Sequence, residues 1–290
     1  MDMPWPEATK ARFKEFQREL WLDHENDPPP ELYHYTREDG FRGIITSRVL
    51  RVFDIGRLND PTEGRYSMDV FRRLVARKSV PAKVVDAFRR SDTLFGVSEF
   101  WYQYVACFSQ EKNSEHQWKK YAGVGKGFCL GIDSASLFES APGNYAWLKI
   151  LYNKAEQEGK ANSTIDHVIN TARELDVPKR HLVDFWLSGR GAQSLMLSAL
   201  HIKDPGQDSD KEREWRVLML RPDRDGAKTA GEFGNHYLEL PLTSDLLRRV
   251  VLGPNCEMSL EAAESFLREH GFTQTIAERG LLRADGATSV

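Results

Sequence analysis

Apolar positions alternate between two periods along this chain. Phe13, Phe16 and Leu20 recur at helical spacing with charges between them, so the pattern predicts an amphipathic helix over 7–24. Asp27-Pro28-Pro29-Pro30 ends that helix and forms a stiff linker, because proline fixes φ and donates no amide hydrogen. A strand over 32–35, a helix over 38–46 with Phe41, Ile44 and Ile45 on one face, and a strand over 49–53 follow. Asp60-Pro61-Thr62-Glu63 reads as a helix start, with Asp60 as N-cap, Pro61 at the first helical position and Glu63 closing a capping box. Helices are expected over 62–78 and 81–91, and strands over 101–108, 127–132, 146–152, 214–221, 235–241 and 249–252. A long helical stretch over 160–200 breaks at Pro178, Gly189 and Gly191, and a last helix over 259–270 stops at Gly271.

Strands do not alternate strictly with helices, so a doubly wound parallel sheet is excluded in favour of an α+β fold with a curved, mainly antiparallel sheet. The expected organisation is an N-terminal helix and Pro linker over 1–30, one domain over 31–279 with helical insertions at about 62–95 and 155–205, and a flexible tail over 280–290. Apolar residues make up 40% of the 290, which supports a folded core and excludes a disordered chain. The net charge of −3 excludes a strongly basic coat protein and an acidic tail protein. Within that balance, 71–90 carries seven cations, Arg72, Arg73, Arg77 and Lys78 among them, against Asp86 alone. The bland reading is a solvated pair of helices; the functional one is a surface that tracks nucleic-acid phosphates. The three cysteines, Cys107, Cys129 and Cys256, form no even disulfide framework, and Cys107 and Cys129 sit in apolar runs. Buried reduced thiols, no secretory leader and no run of apolar residues long enough for a membrane together predict a cytoplasmic protein with no membrane partner.

Three segments place polar residues on apolar strands. In Leu32-Tyr33-His34-Tyr35-Thr36, His34 and Thr36 point the same way on a strand. Taken alone, His34 reads as a partly buried histidine that satisfies a backbone group. Cys107-Phe108-Ser109 leads through a polar loop to a short helix in which Trp118 and Tyr121 are three apart and share a face. Gly123, Gly125 and Gly127 follow; their spacing around Lys126 is not that of a phosphate loop, and a turn is expected. Glu212 and Glu214 fall on one face at the start of the 214–221 strand, where Arg213 and Arg216 could meet them as surface ion pairs. No HExxH, GxSxG or CxxC motif occurs, so a zinc protease, an α/β-hydrolase and a zinc ribbon have no support, and no metal is expected.

In chain order, LYHYTREDGFRGIITSRVLRV, the CFS segment through Tyr121, and EWRVLML resemble the three motifs of the ADP-ribosyltransferase superfamily, in its His–Tyr–Glu branch that holds the poly-ADP-ribose polymerases. The set HYT, LNDP, CFS, WxxYA, GxGF and ExEWR also resembles a bacterial family of unknown function, over about 31–254. The resemblance implies a split, mainly antiparallel sheet and NAD as substrate. It implies that His34 bonds the adenosine ribose, that the Tyr35 backbone meets the nicotinamide amide with Thr36 and Ser109 nearby, and that Tyr121 or Trp118 stacks on the nicotinamide ring. Glu214 would be the catalytic carboxylate. From its spacing, and not from the resemblance, Glu212 one strand repeat away is placed to orient or deprotonate an acceptor, protein or single-stranded nucleic acid. A Tyr stands where a Gly usually follows the His. The chemistry suits the residues: cleavage of the nicotinamide–ribose bond develops oxocarbenium charge, which a carboxylate stabilises. A bacterial toxin or antiphage effector is a setting such an enzyme would suit. The alternatives are an NAD glycohydrolase and a non-catalytic module that binds nucleotide or nucleic acid.

Overall fold

A computed structural model describes residues 27–55, 63–90, 102–140, 145–187, 190–206, 208–221, 227–230 and 235–281. The expected 7–24 helix, the Asp60 N-cap with its LNDP segment, and the tail beyond 281 lie outside them. In chain order the elements are β1 (Glu31–Thr36), α1 (Glu38–Ser47), β2 (Val49–Asp54), α2 (Glu63–Val75), α3 (Ala82–Arg90), β3 (Tyr102–Ser109), α4 (Glu115–Lys120), β4 (Phe128–Asp133), α5 (Ser134–Ser140) and β5 (Tyr145–Lys149). Then come α6 (Lys154–Glu174), α7 (Leu182–Leu187), α8 (Arg190–Ala199), a 3₁₀ turn (Ser209–Glu212), β6 (Glu214–Arg221), β7 (Lys228–Ala230), β8 (Asn235–Pro241), β9 (Leu247–Leu252), α9 (Leu260–Glu269) and β10 (Ile276–Arg279).

The fold is mixed α+β around a large, open, mostly antiparallel sheet, with β9 and β10 as a parallel pair. Its centre is β3. Along one edge, β3 pairs with β6 over its whole length, from Tyr102↔Arg221 to Ser109↔Glu214. Along the other edge it is shared: Tyr104 and Val105 pair with β2, whereas Ser109 pairs with Tyr33 of β1. The sheet therefore forks at β3, with β1, β4, β9 and β10 on one branch and β2, β8 and β7 on the other.

Alternation along the strands builds two faces. Leu32, Phe108, Phe128, Trp147, Trp215, Val217 and Val250 form the main core on one face, sealed by Phe41 and Ile45 of α1 and Ala263 and Leu267 of α9. On the other face, Val105, Leu148 and Leu218 pack against Met196, Leu197 and Leu200 at the end of α8. The two helical insertions do not decorate the sheet separately. Met68, Phe71, Val84 and Phe88 of α2 and α3 meet Ile165, Val168, Phe185, Trp186 and Leu195 of α6 to α8 in one further core.

Several boundaries differ from the periodicity for local reasons. α6 starts at Lys154, because the Asn153 side chain accepts from the amides of Ala155 and Glu156. The last helix starts after Ser259, which caps the Ala262 amide, and Gly271 takes φ 83° as its stop. α5 and the short strands β7 and β10 have no counterpart in the sequence pattern; each is too brief to show a period. Cys129 and Cys256 are buried free thiols, but Cys107 is only partly buried. Among the described residues, no helix is long and apolar enough to cross a membrane.

Candidate active site

The site forms where β6 begins. The 3₁₀ turn ends at Glu212, and Arg213 takes φ 43°, a left-handed conformation that costs a non-glycine residue energy. That kink places Glu212 before the strand rather than on it, yet both carboxylates converge. Lys203 Nζ donates to Glu212 Oε2 at 2.7 Å and to Glu214 Oε2 at 2.7 Å. Arg216 Nε donates to Glu214 Oε1 at 2.7 Å. Glu212 Oε1 accepts from the Tyr121 hydroxyl at 3.1 Å and also pairs with the Lys120 ammonium.

The turn is pinned from beneath. The Glu212 carbonyl accepts from Ser109 Oγ at 2.8 Å and from Gln117 Nε2 at 2.9 Å, and the Glu214 amide donates to the Tyr152 hydroxyl at 3.2 Å. Lys203 is itself fixed through its chain: Gln157 Nε2 donates to the carbonyls of Leu151 and Lys203, both at 2.7 Å. His116 Nε2 lies 3.9 Å from Glu212 Oε1 and has no hydrogen-bond partner among the described residues.

Glu212 and Glu214 are 2% and 5% exposed, and the neighbours of Glu214 decide its charge state. Burial alone would raise the Glu214 pKa; the charges of Arg216 and Lys203 and their hydrogen bonds more than reverse it, and the carboxyl is held well below the usual range. Burial, then the Glu212 charge, pushes the Tyr121 phenol up, so it stays protonated and donates. Burial and Glu214 do the same for Tyr152. The result is an ionised Glu214 carboxylate beside the buried Glu212 carboxyl, a shared lysine and a partly exposed phenol ring at the surface side.

The predicted residues are brought together only in part. Glu212, Glu214, Ser109 and Tyr121 share this site. Trp118 does not share Tyr121's surroundings: α4 ends at Lys120, and Trp118 is buried with its Nε1 on Asn113 Oδ1 at 2.8 Å and its ring edge-on to Tyr35 at 4.8 Å. The Tyr35 hydroxyl donates to the Glu111 carbonyl at 2.6 Å and accepts from the Ser114 amide at 2.9 Å, tying the 110–114 loop to β1. His34 is separated from the carboxylates. Tyr33, Ser109 and Glu214 lie side by side across β1, β3 and β6, so they share a face, and His34 points to the other. There it packs edge-on against Phe108 at 5.9 Å, and its Nδ1 donates to the Cys107 carbonyl at 3.1 Å, between the stretches of β3 that β2 and β1 occupy. Burial lowers its pKa, although the bond to Cys107 works the other way. Thr36, two residues on, shares the His34 face and not the Glu214 face.

Other expectations are corrected. Arg216 is a fully buried partner of Glu214, not a surface one, and Arg213 turns away to Glu111 at 2.9 Å. The glycine turn is structural: the Gly125 and Gly127 amides are spent on the carbonyls of Trp118 and Ala122, and a Cβ on Gly127 would collide with the Thr36 carbonyl. In the basic stretch, Lys78 is held by both Asp166 oxygens at 2.7 Å, while Arg72 bonds the Phe88 carbonyl and Asp69, and Arg73 meets Glu158 at 3.3 Å. The sequence reading misses Lys203, Lys120, Gln117, His116 and Tyr152. Lys203 sits after the apolar run LMLSALHI, and a lysine there is the one available signal of a buried cation. Among the described residues, no cluster of three or more His, Cys, Asp or Glu could hold a metal ion.

Residues 117–217 match a family described as protein of unknown function (DUF2971). That stretch carries Gln117, Lys120, Tyr121, Tyr152, Lys203, Glu212, Glu214 and Arg216, nearly the whole site. No curated protein and no solved structure matches the chain.

Proposed function

We propose that the chain cleaves the nicotinamide–ribose bond of NAD at the Glu212–Glu214 pair and transfers ADP-ribose to an acceptor. The observation that carries this reading is the pair itself: two buried carboxyl groups joined by one lysine, with the Tyr121 hydroxyl on one of them. The C1′–N bond breaks with its electron pair leaving on the nicotinamide nitrogen, which neutralises the pyridinium. Glu214 stabilises the positive charge that develops on the ribose. The acceptor's lone pair then bonds C1′, and its proton passes to Glu212. Water as acceptor gives NAD hydrolysis at the same site. Tyr121, 36% exposed, is the ring available to a nicotinamide; Trp118 is packed away. His34 has no part in this step, because it faces the other side of the sheet.

Approach to the carboxylates is from the Lys120–Tyr121 side, where both side chains reach solvent. NAD must displace the Lys120 contact to reach Glu212. A second reading rests on the completeness of the network: each carboxylate already has its cations and little exposure, as a structural cluster or a binding-only module would. Nicotinamide release from labelled NAD separates the two. The enzyme reading expects Glu214→Gln to lower release by about 10²–10³ while Tyr121→Phe, which keeps the ring, retains most of it. No release by the wild type at millimolar NAD, with or without cell lysate, overturns it. The lysate arm shows whether label enters protein, nucleic acid or free ADP-ribose.

A further inference from the structure

A second concave site lies in the helical layer, among α2, α3 and the start of α6. It is a cavity of about 540 Å³ whose lining includes Tyr66, Arg72, Arg73, Arg89, Lys154 and Gln157. We propose that this cavity binds the phosphate chain of a nucleoside di- or triphosphate.

Charge is the first argument. Four cations line the cavity against two carboxylates, and those two are each taken by one arginine: Asp69 by Arg72 at 2.7 Å, Glu158 by Arg73 at 3.3 Å. Lys154 has no carboxylate partner among the described residues. Arg72 is oriented, not loose, because its Nε is spent on the Phe88 carbonyl at 2.6 Å. The oriented Arg72 guanidinium, the more exposed Arg73 and Arg89, the latter meeting Asp86 at 3.5 Å, and the Lys154 ammonium suit adjacent phosphates carrying several oxygens. The Lys154 end adds the positive end of a long helix, whose first amides are already capped by Asn153, so its contribution is field and not hydrogen bonds.

Shape is the second argument, and it selects the ligand. A strand of nucleic acid needs cations strung along a groove. Here Lys78 in the basic run is locked onto Asp166, and three of its arginines, Arg72, Arg73 and Arg89, line one concavity. Its volume falls within the range of small-molecule pockets. The Tyr66 ring lines the same cavity, with its hydroxyl fixed on Gln157 Oε1 at 2.9 Å, and offers a flat surface to a base.

The test is direct binding, by calorimetry at low salt, of ATP, tripolyphosphate and a single-stranded oligonucleotide to the full chain. The expected result is ATP bound more tightly than tripolyphosphate, with affinity falling as salt rises. Arg73→Ala with Lys154→Ala, both exposed at the cavity rim, should weaken ATP by about tenfold or more with an unchanged melting temperature. Wild-type binding absent at millimolar ATP, or unchanged in the double variant, overturns the site. Equal affinity for ATP and tripolyphosphate overturns its nucleoside part, and a preference for the oligonucleotide overturns the compact ligand. None of these measurements depends on NAD cleavage.

Discussion

Lys203 is the residue on which the most depends, since one ammonium holds two carboxylates that would otherwise repel each other. Breaking a buried ion pair by removing one partner costs about 3–5 kcal/mol, so Lys203→Met is expected to lower the urea midpoint strongly at neutral pH. Adding Glu212→Gln and Glu214→Gln to Lys203→Met should restore much of that loss, because no uncompensated charge is then buried; a triple variant as unstable as the single one refutes the electrostatic account. The pH dependence has two named sources with the same sign. Glu214 has a depressed carboxyl, so its stabilisation is present above the unfolded value of about 4.3 and is lost as pH falls below it. His201, 2% exposed with Nδ1 on the Lys149 carbonyl, has its pKa lowered to about 3 by burial first and by Lys160 next. The unfolded chain takes up that proton near pH ~6.5, so stability falls with pH from there down to about 3. Urea midpoints between pH ~7 and ~4 should decline in the wild type and decline less in His201→Gln. At this scale the sequence is legible where chemistry meets periodicity: Ser109 and Glu214 stand out as polar groups on apolar strands, and Glu212 and Tyr121 as their neighbours in the flanking turn and short helix. Lys203 does not, because its partners lie on a different element, and a sequence does not display which loop will close over a strand.

At the scale of elements, the candidate site hangs on α6. Gln157 in that helix holds the carbonyls of Leu151 and Lys203, and thereby places the Lys203 ammonium. Replacing Gln157 with Leu strips the Lys203 carbonyl of this donor and leaves the Leu151 carbonyl only the Lys203 amide at 3.4 Å, and is expected to cost about 1–3 kcal/mol. The helix depends in turn on Asn153, and Asn153→Ala should cost about 1 kcal/mol; a thermal melt indistinguishable from wild type counts against the cap. Element types follow from period for α1 and the longer strands, whose apolar positions recur cleanly, and from period and capping for α9. The faces do not follow. His34 and Glu214 read as neighbours by motif order, but strand alternation across β1, β3 and β6 sets them on opposite sides. The register that decides this comes from pairing between distant segments, and one residue of shift would have reversed it.

The whole molecule is one forked sheet with a helical layer built from two distant insertions. The α+β class and the mainly antiparallel sheet are legible from the irregular order of strands and helices. A split sheet is implied only through resemblance, and the joining of the insertions into one core is not legible at all, since neither amphipathic set names its partner. The fork has a further consequence for how the protein is made. β2 finds its second neighbour, β8, only after β3 to β7 have intervened, with Val49 against Pro241 and Phe53 against Tyr237. During synthesis the β2 edge is therefore left without β8 while β3 to β7 emerge. Such late closure makes the nascent chain a client for chaperones and a hazard for self-association. A chain stopped after Ala230 should partition into the pellet, and supplying the 231–281 segment as a separate co-expressed piece should return part of it to the supernatant. Full solubility of the stopped chain would mean that the edge is shielded by some other means before the ribosome reaches β8.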